Sequence, residues 1–240
     1  MTGEKTFNLI VMAPFYNERK WITEWLRNVE QFADGIIMLD DGSTDGGAEL
    51  CISDKLLCPV IRIERNDPIE FRELLIRNML IKESDKYTSK WIMFLDLDEK
   101  IHWNDTALIK KDMEEGIYDE FSILSYWVYP IWNTPTTYRV TGDIPPPYTY
   151  WRTWKQHKGA IIRSARDYHF GAHPYQMLII DGNPNFGVTK WRLLHYTNLD
   201  KENRIRRYHR YTTVDKDADP TTYLYLLDED KDIVLKQIPE

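Results

Sequence analysis

Ile36-Ile37-Met38-Leu39-Asp40-Asp41-Gly42-Ser43-Thr44-Asp45-Gly46-Gly47 is the stretch whose reading decides the fold. Four apolar residues in a row suit a short strand buried on both faces. The carboxylates and glycines that follow suit a tight loop at the strand's carboxyl end. The same transition occurs twice more. Phe7 to Ala13 runs into Pro14-Phe15-Tyr16-Asn17-Glu18, and Trp91 to Leu95 runs into Asp96-Leu97-Asp98. Between the first two strands, Trp21, Ile22, Trp25, Leu26 and Val29 form one apolar stripe at helical spacing. Ser43 or Thr44 is placed to cap a helix running to about Leu57. Val60 to Ile63 reads as a further strand, and Phe71, Leu74, Leu75 and Met79 mark a helix after it. Strand alternating with helix predicts an α/β fold, an open sheet covered by helices on both faces.

Beyond about Ile101 the rhythm changes. Asn104 to Glu115 predicts a polar helix, and Phe121–Tyr129, Tyr150–Trp154, Ala160–Arg163, Met177–Ile180 and Trp191–His195 predict strands of mixed or antiparallel pairing. Trp132 to Pro147, with Pro135 and the Pro145-Pro146-Pro147 run, predicts a surface loop. Extended to Tyr150, the segment is either a flap over the site or a loop packed by its own aromatics. Asp200 to Thr213 predicts a basic helix and Tyr223 to Gln237 an acidic amphipathic one. The expected organisation is one domain over 1–240, with a nucleotide-binding half (1–101), an acceptor-side half (102–199) carrying a smaller antiparallel sheet, and C-terminal helices (200–240).

Composition narrows the function classes. The 240 residues carry 31 Lys and Arg against 38 Asp and Glu, a net charge of −7, which disfavours nucleic acid as a partner. No apolar run approaches the roughly 20 residues that span a bilayer, and Met1 to Thr6 lacks the pattern of a secretory signal. A cytoplasmic protein with at most peripheral membrane contact is the expectation. Cys51 and Cys58 are too few for a disulfide framework or a four-cysteine zinc site and read as reduced packing residues. The 9 Trp, 15 Tyr and 8 Phe suit sugar stacking as well as a core, with Trp127, Trp132, Trp151 and Trp154 as candidate platforms.

In an open α/β sheet, ligands bind outside the carboxyl ends of the strands, where these polar segments lie. On an extended chain Asp96 and Asp98 share a side, and two convergent carboxylates call for a cation. Oxygen ligation by few residues is how Mg2+ or Mn2+ is held beside a diphosphate. Any of these aspartates can instead cap a helix. A calcium loop starting at Asp41 fails, because its twelfth position is Ile52 where a bidentate Glu is needed. No phosphate-loop or dinucleotide glycine motif is present.

Taken in order, Asn8 to Gly46, Arg77-Asn78 and Trp91 to Ile101 resemble the family 2 glycosyltransferases of GT-A fold. Asp40 to Gly46 is similar to that family's D-D-G-S-T-D-G signature, and Asp96-Leu97-Asp98-Glu99 to the D-x-D-E form of lipopolysaccharide-core and prophage-type members. Leu194-His195-Tyr196 and the basic helix after it resemble the end of the catalytic domain in that subgroup. The resemblance implies a metal-dependent, inverting transfer of a sugar from a nucleotide-diphosphate sugar, UDP-linked by default, to a glycan or glycoconjugate hydroxyl. It implies that Asp41 binds the donor base, that Pro14, Phe15, Tyr16, Asn17 and Glu18 line the base and ribose pocket, and that Asp96 meets the ribose or a metal-bound water. It further implies Asp98 as the ligand of Mn2+ or Mg2+, and Arg77 as a nucleotide contact or simply an ion-pair partner of Asp96. His195 is either a further metal ligand or a core histidine. The subgroup's His-Glu pair reads His173-Pro174 here, which leaves Asp167, Asp181, Asp143 and His173 as candidate bases. The basic helix either clamps a diphosphate or another anion, touches a membrane surface, or is a solvated face paired with Asp215, Asp217 and Asp219. A non-catalytic module of the same fold and a sugar-1-phosphate nucleotidyltransferase are the competing readings. The latter is opposed by the lack of Gly from Pro14 to Lys20.

Overall fold

The computed structural model describes residues 6–64, 66, 72–115, 120–127, 137–140, 148–156, 158, 186–196, 201–214, 221, 223–227 and 234–237. In chain order the elements are β1 (Thr6–Phe15), α1 (Arg19–Val29), β2 (Gly35–Asp40), β3 (Ile61–Arg62), α2 (Glu73–Ser84), β4 (Thr88–Phe94) and β5 (Glu99–Ile101). They continue with α3 (Thr106–Glu115), β6 (Glu120–Trp127), β7 (Thr137–Val140), β8 (Tyr148–Lys155), β9 (Phe186–His195), α4 (Lys201–Val214) and β10 (Val234–Gln237).

Eight strands form one sheet in the order β3-β2-β1-β4-β8-β6-β9-β5, and β10 and β7 make a separate antiparallel pair. The first four strands run parallel. β8 then joins β4 antiparallel, and β5 joins β9 antiparallel. The expected α/β fold is therefore present: an open mixed sheet flanked by helices, with a small antiparallel sheet beside it.

Alternation along the parallel strands explains why their sequences are apolar throughout. Leu9, Val11, Ala13, Ile36, Met38, Trp91 and Met93 face α1 and α3 and pack on Ile22, Trp25, Val29, Ile109 and Met113. Ile10, Met12, Ile37, Leu39, Ile92 and Phe94 face the other way and pack on Ile76, Leu80 and Ile81 of α2. Both faces are sealed, so these strands can offer a ligand only their ends.

Several expectations are corrected. The helix to Leu57 is a single 3-10 turn, Ala48–Leu50. Asp45 is occupied elsewhere, accepting from the Arg19 and Gly47 amides at 2.9 Å each. Further on, the Ile36 amide donates to the Lys55 carbonyl and the Leu57 amide to the Ile36 carbonyl, which holds the chain extended against β2. Tyr223 to Gln237 holds a 3-10 turn, Leu224–Leu227, and β10 in place of a helix. β10 pairs with β7 in register Val234↔Val140 to Gln237↔Thr137, so part of the expected Trp132–Pro147 loop is strand. A ladder partner this distant leaves no trace in a local window, and it overrides helical propensity. The expected strands Ala160–Arg163 and Met177–Ile180, and the rest of the flap segment before Tyr148, lie outside the described residues. Among the described residues no helix is long and apolar enough to cross a membrane. Cys51 and Cys58 are both free thiols, and burial pushes the Cys51 thiol up to about 12.

Candidate functional site

The carboxyl ends of β1, β2 and β4 are brought level by their pairing. Phe15 sits opposite Asp40, and the Asp41 amide donates to the Phe15 carbonyl at 2.8 Å. Two loops then lock together. Asn17 adopts φ 55°, in the left-handed region that Asn tolerates better than most residues. Its amide donates to Ser43 Oγ at 2.9 Å, and its Oδ1 accepts from the Thr44 amide at 2.8 Å. Asp40, fully buried, accepts from the Ser43 amide at 2.7 Å and is reached by Arg62 Nε at 3.5 Å. The first aspartate of the pair thus builds the loop. The second, Asp41, is turned into a cavity and paired there with Arg72.

That cavity, of about 170 Å3, is lined by four carboxylates, Glu18, Asp41, Asp96 and Asp98, and by four guanidiniums, Arg72, Arg77, Arg207 and Arg210. Pro14, Phe15 and Tyr16 line it as well. Of the expected nucleotide contacts, only Asn17 is absent from the wall, since its polar groups hold the two loops.

Asp96 and Asp98 both line the cavity but are held by different partners. β4 ends at Phe94, and Asp96 to Glu99 form a turn in which the Glu99 amide donates to the Asp96 carbonyl at 2.9 Å. Alternation along an extended chain therefore does not apply here. Glu99, fully buried, accepts from the Asp96 amide at 2.9 Å. Asp96 Oδ1 accepts from Arg77 Nη2 at 2.7 Å, and Arg77 is 2% exposed with its guanidinium 4.9 Å from the Phe94 ring. The ion pair expected of Arg77 is observed, and Arg77 also lines the cavity. Asp98 has a different set of partners. β5 pairs with β9 so that Glu99 lies opposite His195, and the Tyr196 amide donates to the Asp98 carbonyl at 2.7 Å. His195 Nε2 and Arg207 Nη1 each stand 3.6 Å from Asp98 Oδ2.

Glu18, half-buried at the head of α1, has its carboxyl pushed up to about 7, first by withdrawal from water and then by Asp98, against the opposing charges of Arg207, Lys20 and Arg206. The observed site therefore couples the first loop to the turn after β4 and to α4.

Asp98 and His195 fit a divalent cation whose shell is finished by phosphate oxygens, because Mg2+ and Mn2+ sites commonly use one or two protein ligands beside a phosphate. Among the described residues no group of three His, Cys, Asp or Glu side chains converges tightly enough to hold an ion alone. Asp96, paired to Arg77, is not positioned with them. The candidate bases Asp143, Asp167, His173 and Asp181 lie outside the described residues, as does Trp132. Trp127 ends β6 in register with His195, and Trp151 and Trp154 are on β8.

Sequence reasoning assigned no role to Arg72 or Glu99. Arg72 stands at the start of α2, on the carboxyl side of the sheet, and that position was the available signal. Glu99 is the last letter of D-x-D-E, and its role in closing the turn rests on its bond to the Asp96 amide, which the motif does not show.

No family model matches the chain, and no curated protein matches it. Among solved structures it is similar to S. aureus TarS residues 1–349 at 15% identity and a TM-score of 0.49, over 92% of this chain and 69% of that one. The same TarS fragment in complex with UDP-GlcNAc gives 17% identity and a TM-score of 0.47, over 92% and 70%. The mannosyltransferase PcManGT from Pyrobaculum calidifontis, in complex with GDP-Man and Mn2+, gives 15% identity and a TM-score of 0.49, over 93% and 68%.

Proposed function

We propose that the chain is a single-domain, GT-A-type glycosyltransferase of the cytoplasm. It moves a sugar from a nucleotide-diphosphate sugar, with UDP as the default nucleotide, to a hydroxyl of a glycan or glycoconjugate. The observation that carries this reading is the shared cavity, in which Asp41 after β2 and Asp98 after β4 stand among four arginines; His195 at the end of β9 lies 3.6 Å from Asp98. That distribution suits a ligand with a hydrogen-bonding ring at one end and a polyanion at the other. The sequence signatures that resemble family 2 support the same assignment.

In this reading Asp41 accepts a hydrogen bond from the base, and Pro14 to Glu18 wall the base and ribose. Arg77 fixes Asp96 at the ribose side. Asp98 and His195 would hold Mn2+ or Mg2+, which when bound offsets the charge developing on the leaving diphosphate. The acceptor proton passes to a base drawn from Asp143, Asp167, His173 and Asp181, and the transfer inverts the anomeric centre.

The test is donor turnover without acceptor. A panel of UDP-, GDP- and dTDP-sugars is incubated with the protein, with and without Mn2+, and released nucleoside diphosphate is measured. One donor is expected to be hydrolysed slowly and only with metal. Tight binding of a nucleotide sugar with no release, even with acceptor glycans added, would instead favour a binding module. Binding of none would end the reading.

A further inference from the structure

We propose that Arg207 and Arg210 of α4 form a cradle for the diphosphate of the ligand, and that Arg207 reaches it by yielding Asp98 to the incoming divalent cation. This rests on the nucleotide-sugar reading and assigns the role of α4 within it.

Three observations carry it. First, Arg207 and Arg210 are three apart on one helix and so share a face; both line the cavity that holds Asp98. Second, Arg207 is aimed. Its Nε donates to Tyr211 Oη at 3.1 Å, and its guanidinium lies 5.6 Å from the Tyr211 ring centroid. Tyr211 is buried and packs against Tyr223, with ring centroids 5.2 Å apart, and against Leu226. The base of the arginine's fork is therefore fixed to the protein core, while its outer nitrogen points to the pocket.

Third, the two aspartate pairs differ in quality. Arg77 Nη2 meets Asp96 at 2.7 Å, the length of a full charge-assisted hydrogen bond. Arg207 Nη1 stands 3.6 Å from Asp98 Oδ2, and His195 Nε2 stands 3.6 Å from the same oxygen. That contact is an ion pair without a formed hydrogen bond, and its carboxylate is shared. It is the pair more easily exchanged. A divalent cation held by Asp98 would turn its charge of −1 into a net +1, which would repel the guanidinium and attract an anion. Arg207 and Arg210, in the wall of the same cavity as Asp98, would then meet the diphosphate. The solvated-face reading of α4 accounts for Lys201 and Arg206, which are exposed, and not for the two arginines in the cavity wall.

Titration calorimetry decides it. UDP, GDP and dTDP are compared in Mn2+ with the matching nucleosides, the latter followed by NMR titration. The proteins are the parent, Arg207→Gln, Arg210→Gln and, as an exposed charge control on α4, Lys201→Gln. Each arginine substitution is expected to weaken the nucleoside diphosphate by about tenfold or more, the scale of a lost charge-assisted bond, and the nucleoside by less than about twofold. Lys201→Gln is expected to leave both within about twofold. Mn2+ alone is expected to bind Arg207→Gln more tightly than the parent, because its competitor for Asp98 is gone. Should Arg207→Gln lose its folded circular dichroism, Arg210→Gln carries the diphosphate comparison. Arg207→Lys then carries the rest, keeping parent-like metal affinity with a partial loss of diphosphate. Unchanged diphosphate affinity in folded variants, or equal losses for diphosphate and nucleoside, overturns the cradle. Mn2+ binding that is no tighter in Arg207→Gln overturns the exchange at Asp98. A parent that binds none of the three diphosphates overturns the donor reading itself, a result distinct from the others.

Discussion

The parallel half of the sheet and the half added after it are stabilised in different ways. β1, β2 and β4 bury apolar side chains on both faces, so their positions follow from non-directional burial. β9 buries Trp191 and Leu193 in the same core and adds a buried charge pair at Arg192. Arg192 donates through Nε and Nη2 to the two oxygens of Asp105 at 2.8 and 2.7 Å, and its own amide adds a 2.8 Å bond to the same carboxylate. Asp105 is 3% exposed and Arg192 8%. Apolar packing tolerates substitution of similar volume, whereas a buried bidentate pair fixes one register and fails when either member is lost. The lesson is a division of labour. The first half sets where strand ends lie, and the second half delivers His195, Arg207 and Arg210 to those ends through a few directional contacts.

The largest expected effect separates the two contributions at Asp98. Asp98→Ala removes the carboxylate that faces both His195 and Arg207 and leaves the apolar core intact. Metal-dependent donor hydrolysis is expected to fall by about three orders of magnitude, on the scale of lost transition-state charge stabilisation. The melting temperature should stay near that of the parent. Near-normal turnover in Mn2+ would remove Asp98 from the site.

Next is the pair that holds the second half in register. Asp105→Ala leaves the Arg192 guanidinium buried without its carboxylate and is expected to cost about 3–5 kcal/mol. Urea unfolding measures it. A loss under about 1 kcal/mol would show that the added strands depend on apolar contacts as the first ones do.

The same contrast governs what could be read from the sequence. β1, β2, β4 and α1 were legible because burial on two faces writes an apolar run and a helical stripe into consecutive residues. The loop signatures were legible because backbone geometry at Asn17, Gly42 and Gly46, with φ of 55°, 79° and 71°, restricts residue choice. What failed was non-local. Nothing in residues 44–57 announces that Asp45 is committed to the start of α1, or that Leu57 will pair with Ile36. Nothing in 223–237 names β7 as its partner. At the site, both aspartates of D-x-D line the cavity, yet their separate partners depend on Glu99 closing a turn and on Arg77 arriving from α2. The reading of α4 as a solvated face covers part of the helix and misses Arg207 and Arg210, because helical spacing does not reveal which neighbour a face meets.

A third prediction sharpens the coupling between the halves. Glu18 belongs to the first loop, but its carboxyl is raised to about 7 by burial and by Asp98, while Arg207 and Arg206 of α4 pull it down. The folded protein thus keeps a proton between about pH 4.5 and 7 that the unfolded chain releases. This contribution to stability is complete below about pH 4.5 and is lost as pH rises through about 7. Glu18→Gln, neutral in both states, is expected to stabilise the protein by about 3 kcal/mol at pH 8 and by less than about 1 kcal/mol at pH 5. A gain independent of pH would mean that the effect comes from packing. The double variant with Arg207→Gln should show a larger gain at pH 8 than Glu18→Gln shows in the parent background, since the ionised carboxylate then lacks its main opposing charge.

The smallest effect tests whether the first half contains a directional element of its own. Asn17 combines a positive φ with two loop-locking hydrogen bonds, its amide to Ser43 Oγ and its Oδ1 from the Thr44 amide. Asn17→Ala loses the side-chain acceptor and places a Cβ residue without a local polar partner in the left-handed region, so a loss of about 1–2 kcal/mol is expected. Asn17→Asp keeps both the acceptor and the tolerance for that conformation and should cost less than about 0.5 kcal/mol. Asn17→Gly removes the backbone penalty alone and should fall between them. If Asp and Ala cost the same, neither the Thr44 bond nor the tolerance for the left-handed region contributes at this position. If Gly matches Asp, the loop is held by its φ preference, and the two strand ends are joined by conformation with no help from the side chain.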